Sequence, residues 1–257
     1  MVANASSSGA ECEINPKDHF SVFRLPIPRV PDVFTEYKNK LEKESFVAPE
    51  LTYPLENLNF IPLQETNELP PLVKLSGHSK KELGHMEILY KGGEDEGLKQ
   101  LNFYIFEKQY IKDYFNTRNQ LSGKGFSSQL SPWLSFGCIS PKRIFYQISK
   151  FENTITANKS TYWLKFELMW RDFFRLMMLK YKAKLFTETG FSGKTNKDLK
   201  PNKDLVNNWK QGKTKVPLID ALMTELNLTG YMSNRGRQIV ASYFIHHLKQ
   251  NWIAGAA

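Results

Sequence analysis

The sequence predicts a mainly α protein, and three observations carry that prediction. From residue 94 onward, apolar residues recur at helical spacing. The periodic stretches are bounded by residues that start or stop helices. Few stretches alternate as strands do, and none carries hairpin turn chemistry.

Residues 1–20 are small and polar and are expected to be disordered. Residues 23–31 hold three prolines, each favouring extended chain before it. Asp32 is placed to cap a short helix over 33–43. The stretch 45–85 is rich in proline and poor in periodicity, which predicts a long irregular connector ended by Gly92 and Gly93. Residues 94–114 read as helix, with acids at the front and Leu98, Leu101, Phe103, Ile105 and Phe106 as apolar positions. A polar turn follows over 118–125. Ser131-Pro132 starts a short helix as cap plus first-turn proline, and Ser140-Pro141 restarts the chain as a helix over 142–151. Ser160 or Thr161 caps a long helix to about Tyr181. Residues 185–201 read as loop, 205–211 as a helix stopped by Gly212, and 217–227 as another opened by Pro217. Leu228, Thr229 and Gly230 form a turn. Ser233 then caps a helix carrying Ile239, Val240, Tyr243, Phe244 and Leu248 on its buried side.

Composition bounds the function. The formal net charge is +9 and the pI about 9.3, which makes a polyanion a plausible partner without naming it. Two cysteines, Cys12 and Cys138, are too few for a disulfide framework or a zinc site. No apolar run is long enough to span a membrane. The first ten residues resemble neither a secretory signal nor a transit peptide, so an intracellular protein is expected. Gly212-Lys213-Thr214 resembles the end of a phosphate-binding loop, but Asn207 stands where that loop needs glycine. His246 and His247 diverge by about 100° on a helix and cannot chelate one metal. No acid–His–Ser or acid–His–Cys grouping points to a hydrolase.

Three stretches carry chemistry. The run 127–132, Ser-Ser-Gln-Leu-Ser-Pro, places three hydroxyls and loop amides before a helix start. That set suits a phosphate, although serines before proline are also ordinary caps. The run 162–175 is apolar nearly all round and predicts a buried helix, interrupted by Glu167, Arg171, Asp172 and Arg175. Glu167 and Arg171 stand four apart in the favourable order, with Trp170 on the same side as Glu167. An internal ion pair and a ligand site are both open readings, and a buried pair is weak evidence for stability. The third stretch is 229–242. Arg235 and Arg237 face the positive end of their own helix dipole, at about 0.3–1 kcal/mol each when exposed. Asn234, Arg237 and Gln238 share a face and Arg235 points elsewhere. Such a helix start suits a nearby anion or carboxylate.

Together these stretches resemble the photolyase/cryptochrome family, most closely its cryptochrome DASH branch. The matching pieces are LSPWLSFGCISP (130–141), STYWLKFELMWRDFFR (160–175), GKTKVPLIDA (212–221) and LTGYMSNRGRQIVAS (228–242), in matching order and spacing. The resemblance is strong over 94–252 and weaker over 26–42. It implies a truncated helical FAD-binding domain over 94–257, incomplete at its C-terminus. Before it, 1–93 would be the remnant of an antenna domain and an irregular linker. A folate antenna belongs to the family, but its domain is mostly absent here.

Residue by residue, the resemblance implies FAD contacts from Tyr114, Ser127, Ser128, Leu130, Ser131, Arg171, Asn234 and Arg237. Glu167, Asn234 and Arg237 would line the space between flavin and DNA lesion, with Glu167 and Asn234 catalytic. Trp170 and Arg235 match lesion-stacking and DNA-contacting positions. Glu167 and Gln238 are also expected to contact DNA, Gln238 standing where classical photolyases carry methionine. Trp209 and Trp252 match the outer members of a tryptophan electron relay. The implied activity is blue-light splitting of cyclobutane pyrimidine dimers in single-stranded DNA, by electron transfer from reduced FAD in a monomer. Because the family continues beyond Trp252, the chain is expected to be a fragment or truncated product, weakly active or inactive as a lyase. A non-repairing flavoprotein photoreceptor and a nucleic-acid-binding module are the alternatives.

Overall fold

The structure, a computed structural model, describes residues 29–45, 47, 70–71, 74, 90–191, 193 and 202–256. The expectations for 1–20 and for most of 23–31 and 45–85 lie outside these residues. The elements are helices α1 (Phe34–Glu44), α2 (Glu94–Asn102), α3 (Tyr114–Thr117), α4 (Ser131–Ser135), α5 (Pro141–Thr154), α6 (Lys159–Tyr181), α7 (Lys203–Lys210), α8 (Pro217–Thr229), α9 (Asn234–Ser242) and α10 (Trp252–Ala256). No strand occurs among the described residues. None of their helices is long and apolar enough to cross a membrane.

Helix α6 is the axis. Leu164, Leu168, Met169, Phe173, Leu176 and Met177 are buried along it, and α1 to α5 pack around them into a first core. Tyr37 and Leu41 of α1, Tyr104 and Ile105 after α2, and Ile144, Ile148 and Phe151 of α5 fill that core. The all-round burial expected of α6 is only partly met, since Phe174 is 58% and Met178 50% exposed. A second, smaller core joins α7, α8 and α9 through Val206, Trp209, Ile219, Leu222, Met223, Met232, Val240 and Phe244. Gly236 permits the contact of α9 with α8, because a Cβ there would meet Leu222 Cδ2 and Met232 Cγ at 2.9 Å.

Several local expectations are corrected. The helix expected over 94–114 is broken after a wide turn at Phe103–Glu107, where Gln109 takes a left-handed φ of 52°. Ser131 begins α4 but makes no side-chain cap bond. Ser140 caps as expected, and α5 runs on to Thr154. Helix α8 continues through Thr229 before Gly230 turns left-handed. Part of the loop expected at 185–201 is a tight turn, Lys182–Phe186.

Asp32 does not cap α1. Its Oδ1 accepts from Lys180 Nζ (2.6 Å) and Tyr181 Oη (2.7 Å), and Lys180 also donates to the Val30 carbonyl (2.9 Å). Two donors from the end of α6, one of them a cationic amine, thus hold the carboxylate in place of the α1 amides.

Neither Ser160 nor Thr161 caps α6. Asn158 does, accepting from the amides of both, while Thr161 Oγ1 accepts from the Asn158 amide in a reciprocal capping box. Asn158 Nδ2 also donates to the Lys112 carbonyl at 3.1 Å, so the cap ties α6 to the segment before α3. Asn158→Ala is therefore expected to lower unfolding free energy by about 1–2 kcal/mol. Urea denaturation followed by circular dichroism measures this, and a loss within error of zero contradicts it.

Candidate functional site

A cavity of about 840 Å³ opens between the two cores. That is large for a small-molecule site, where about 300–1,000 Å³ is usual. Its first wall comes from α3 and α6. Tyr114, 8% exposed, opens α3, and Glu167 and Arg171 project from α6 one turn apart. The amide of Phe115 donates to Ser160 Oγ (3.1 Å), which anchors α3 on the start of α6. This is the use the fold makes of a residue expected to be a cap.

The second wall is the turn 126–131 with α4. Ser127, Ser128, Leu130 and Ser131 line it, with Gln129 among them. Gln129 has φ 53°, a conformation sparse for non-glycine residues and concentrated at functional sites. Gln100 Nε2 of α2 donates to the Ser128 carbonyl (3.0 Å) and holds the turn in place. Phe136, 87% exposed, stands at the rim.

The third wall is 229–237. Ser233 caps α9 by accepting from the Gly236 amide at 3.1 Å. Asn234 and Arg237 of the first turn line the cavity with Tyr231 and Met232. Arg237 Nε donates to the Met232 carbonyl (3.2 Å), which offsets the unfavourable dipole at this helix start.

The structure thus brings together Tyr114, Ser127, Ser128, Leu130, Ser131, Glu167, Arg171, Asn234 and Arg237. It does not bring in five others. Trp170 lies off the cavity: its ring stacks on Phe34 of α1, with centroids 3.5 Å apart and planes at 6°, and on Phe174 at 5.4 Å. Gln238 is exposed and outside the cavity wall, because the wall takes only the first turn of α9. Arg235 turns away, donating from Nη2 to Asn119 Oδ1 at 2.6 Å. Trp209 is buried in the second core, its indole donating to the Val240 carbonyl (3.2 Å) and its ring 4.6 Å from Phe244. Trp252, 37% exposed, begins α10.

The expected Glu167–Arg171 pair is not what forms. Glu167 Oε1 faces Arg118 Nη1 at 3.4 Å, and Arg171 Nη1 lies 3.5 Å from Oδ1 of the buried Asp172. Helical spacing makes a local pair available, but side chains from other elements compete for the same charges. Burial pushes the Glu167 carboxyl above the usual carboxylate range, and the Arg118 guanidinium opposes that rise. Burial likewise pushes the Tyr114 and Tyr231 phenols up.

Sequence reasoning missed Arg118, Gln129, Tyr231 and Tyr90 as site residues. Gln129 could have been found, since it interrupts the serine run. Tyr90 and Tyr231 meet only in three dimensions, with ring centroids 5.6 Å apart. Arg118 carried no signal beyond a polar turn.

The lining fits a dinucleotide such as FAD. Hydroxyls of Ser127, Ser128 and Ser131 with the guanidinium of Arg171 can take phosphates, while Leu130, Leu134, Ile144, Leu164 and Leu168 offer apolar surface to a ring system.

Comparison with known proteins agrees. Residues 163–257 match the family model described as the FAD binding domain of DNA photolyase. The chain is 40% identical over 230 residues to a cryptochrome DASH of Danio rerio, covering 88% of this chain and 44% of that protein. Against a cryptochrome DASH of Synechocystis it is 39% identical over 239 residues, covering 90% and 47%. The crystal structure of a Synechocystis cryptochrome superposes with a TM-score of 0.72 at 35% identity, covering 94% of this chain and 49% of that one. A class III photolyase from Agrobacterium tumefaciens, at 24% identity and TM-score 0.65 over 88% and 47%, shows the same fold.

Fold and cavity together define a helical domain of the flavin-binding class. The chain belongs to the photolyase/cryptochrome family, and its matched relatives include cryptochromes DASH. It spans about half the length of these curated relatives.

Proposed function

We propose that the cavity between the two cores binds FAD and that the protein uses it as a monomeric, blue-light lyase on pyrimidine dimers in single-stranded DNA. One observation carries this reading. Every residue assigned to FAD from the sequence lines one cavity of about 840 Å³, and Glu167, assigned to the lesion side, lines it with them.

Ser127, Ser128, Ser131 and Arg171 would hold the diphosphate. Leu130, Leu164 and Leu168 would keep water from the rings. Asn234 and Glu167 would face the substrate side, Asn234 as a neutral donor and acceptor and Glu167 as the acceptor of a base's N–H. Reduced FAD, when bound, supplies an electron to the lesion on absorbing blue light. Arg118, Arg171 and Arg237 place three guanidiniums around the opening, and the net charge of +9 favours an approaching polyanion. A flipped-out base is the geometry such a pocket accepts. The relay role of Trp209 and Trp252 belongs to the same proposal.

A second reading is a flavoprotein that does not repair. The observation favouring it is Trp170, which lies off the cavity with its ring stacked on Phe34 and Phe174.

The test takes the purified chain with FAD added in excess and then removed by gel filtration. Retained flavin absorbance is expected, and its loss overturns the proposal. Affinity for a dimer-containing single strand should fall with salt, with a log–log slope of about −0.7 per phosphate neutralised. Illumination of the reduced complex should restore pyrimidine absorbance. Flavin retained with no restored absorbance decides for the second reading.

A further inference from the structure

We propose that Arg118 is a positioning residue for Glu167, fixing its carboxylate in the cavity wall as a charged, oriented acceptor. The importance of that acceptor rests on the function proposed above, whereas the positioning itself is a property of the protein without flavin.

Arg118 ends α3 one turn after Tyr114, and its side chain reaches back to α6. The guanidinium carbon lies 4.7 Å from the centroid of the Trp163 ring and 5.9 Å from that of Phe115. Those rings pack edge-to-face at 4.8 Å, so the guanidinium rests on a floor that is itself fixed. From there Nη1 faces Glu167 Oε1 at 3.4 Å. Nε is buried and donates to nothing among the described residues. Arginine suits this task because its planar fork can stack and pair at once, which lysine cannot reproduce.

The next residue strengthens the case. Asn119 accepts from Arg235 of α9 at 2.6 Å. Adjacent residues of one turn thus grip α6 and α9, which form opposite walls of the cavity. The turn cannot drift without moving both contacts.

The charged and titratable groups sharing the cavity with Glu167 are Tyr114 and Arg118 on the α3 side, Arg171 on α6, and Tyr90, Tyr231 and Arg237. Arg118 has the closest recorded contact with the carboxylate. Burial favours the neutral acid, and it is opposed first by the Arg118 guanidinium and then by the indole N–H of Trp163. A neutral, reorienting Glu167 could donate as well as accept, and would lose its selectivity for an N–H partner.

The experiment is an infrared pH titration of the full chain without flavin, following the carboxylic-acid C=O band that disappears in E167Q. In R118Q, Glu167 is expected to bind its proton at least about tenfold more tightly than in the wild type. R118K should fall between them. A wild-type titration in folded R118Q overturns the proposal. If circular dichroism shows R118Q unfolded, R118K decides, and a wild-type midpoint there overturns it instead. Flavin retention is measured in parallel. A moved midpoint in a chain that never retains FAD sinks the flavin reading and leaves the pair standing. Retained FAD with an unmoved midpoint does the reverse.

Discussion

Phe34→Ala is expected to lower unfolding free energy by about 3–5 kcal/mol, the usual range for an aromatic removed from a packed core. Phe34 is 9% exposed. It stacks on Trp170 at 3.5 Å and meets Phe166 and Phe173 edge-on at 5.2 and 5.5 Å, so one side chain closes contacts to three rings of α6. Against a total stability of about 5–15 kcal/mol, the loss is a large fraction. Urea denaturation gives the number, and a shift in tryptophan emission should accompany it as one face of Trp170 is uncovered. A loss below about 1 kcal/mol would mean that neighbouring rings fill the space, a collapse that other core sites do achieve.

Arg171→Ala is expected to weaken FAD binding about 10- to 150-fold, from a charge-assisted contact of about 1.5–3 kcal/mol. Arg171 reaches the cavity from the same helix that carries Glu167, and its Nη1 also lies 3.5 Å from the fully buried carboxylate of Asp172. Removing it can therefore cost stability as well. Affinity should be measured by flavin fluorescence at a temperature where circular dichroism shows the variant folded. Lys210→Ala is the control: it removes a cation from the exposed side of α7, outside the cavity wall, and FAD affinity should not change. Equal affinity in wild type and Arg171→Ala removes Arg171 from the site.

These contacts show what a one-dimensional reading can reach. Ser140-Pro141, Pro217, Gly212 and Ser233 mark helix ends through chemistry local to a few residues, and the structure uses them as expected. Where several capping residues crowd together, as at 158–161, local chemistry does not choose, and Asn158 wins because its amide also reaches Lys112. Asp32 and Glu167 each had a local role available and took a distant partner instead, from residues 148 and 49 positions away. The serine run, Arg171 and Arg237 stood out in the sequence because those residue types suit an anion, and the structure sets them in one cavity lining. Arg118 was not, because a lone arginine in a polar turn reads as solvated until the fold lays it on Trp163. Trp170 misled for the converse reason: helical spacing set it beside Glu167, while α1 supplied the ring that covers it.

The clasp between Asp32 and the end of α6 bears on how the chain reaches its fold. Lys180 bonds to Val30 across 150 residues, and Tyr162 to Glu42 across 120. Contacts of that sequence separation close late and slow folding, because the entropy of bringing the ends together is spent before the contact forms. During synthesis α1 leaves the ribosome before α6, and Phe34 lacks its ring partners on α6 until that helix has been made. The helix that presents Glu167 and Arg171 is thus tied near both of its ends to chain made 120 to 150 residues earlier, so completing this wall of the cavity draws on both ends of the described sequence span.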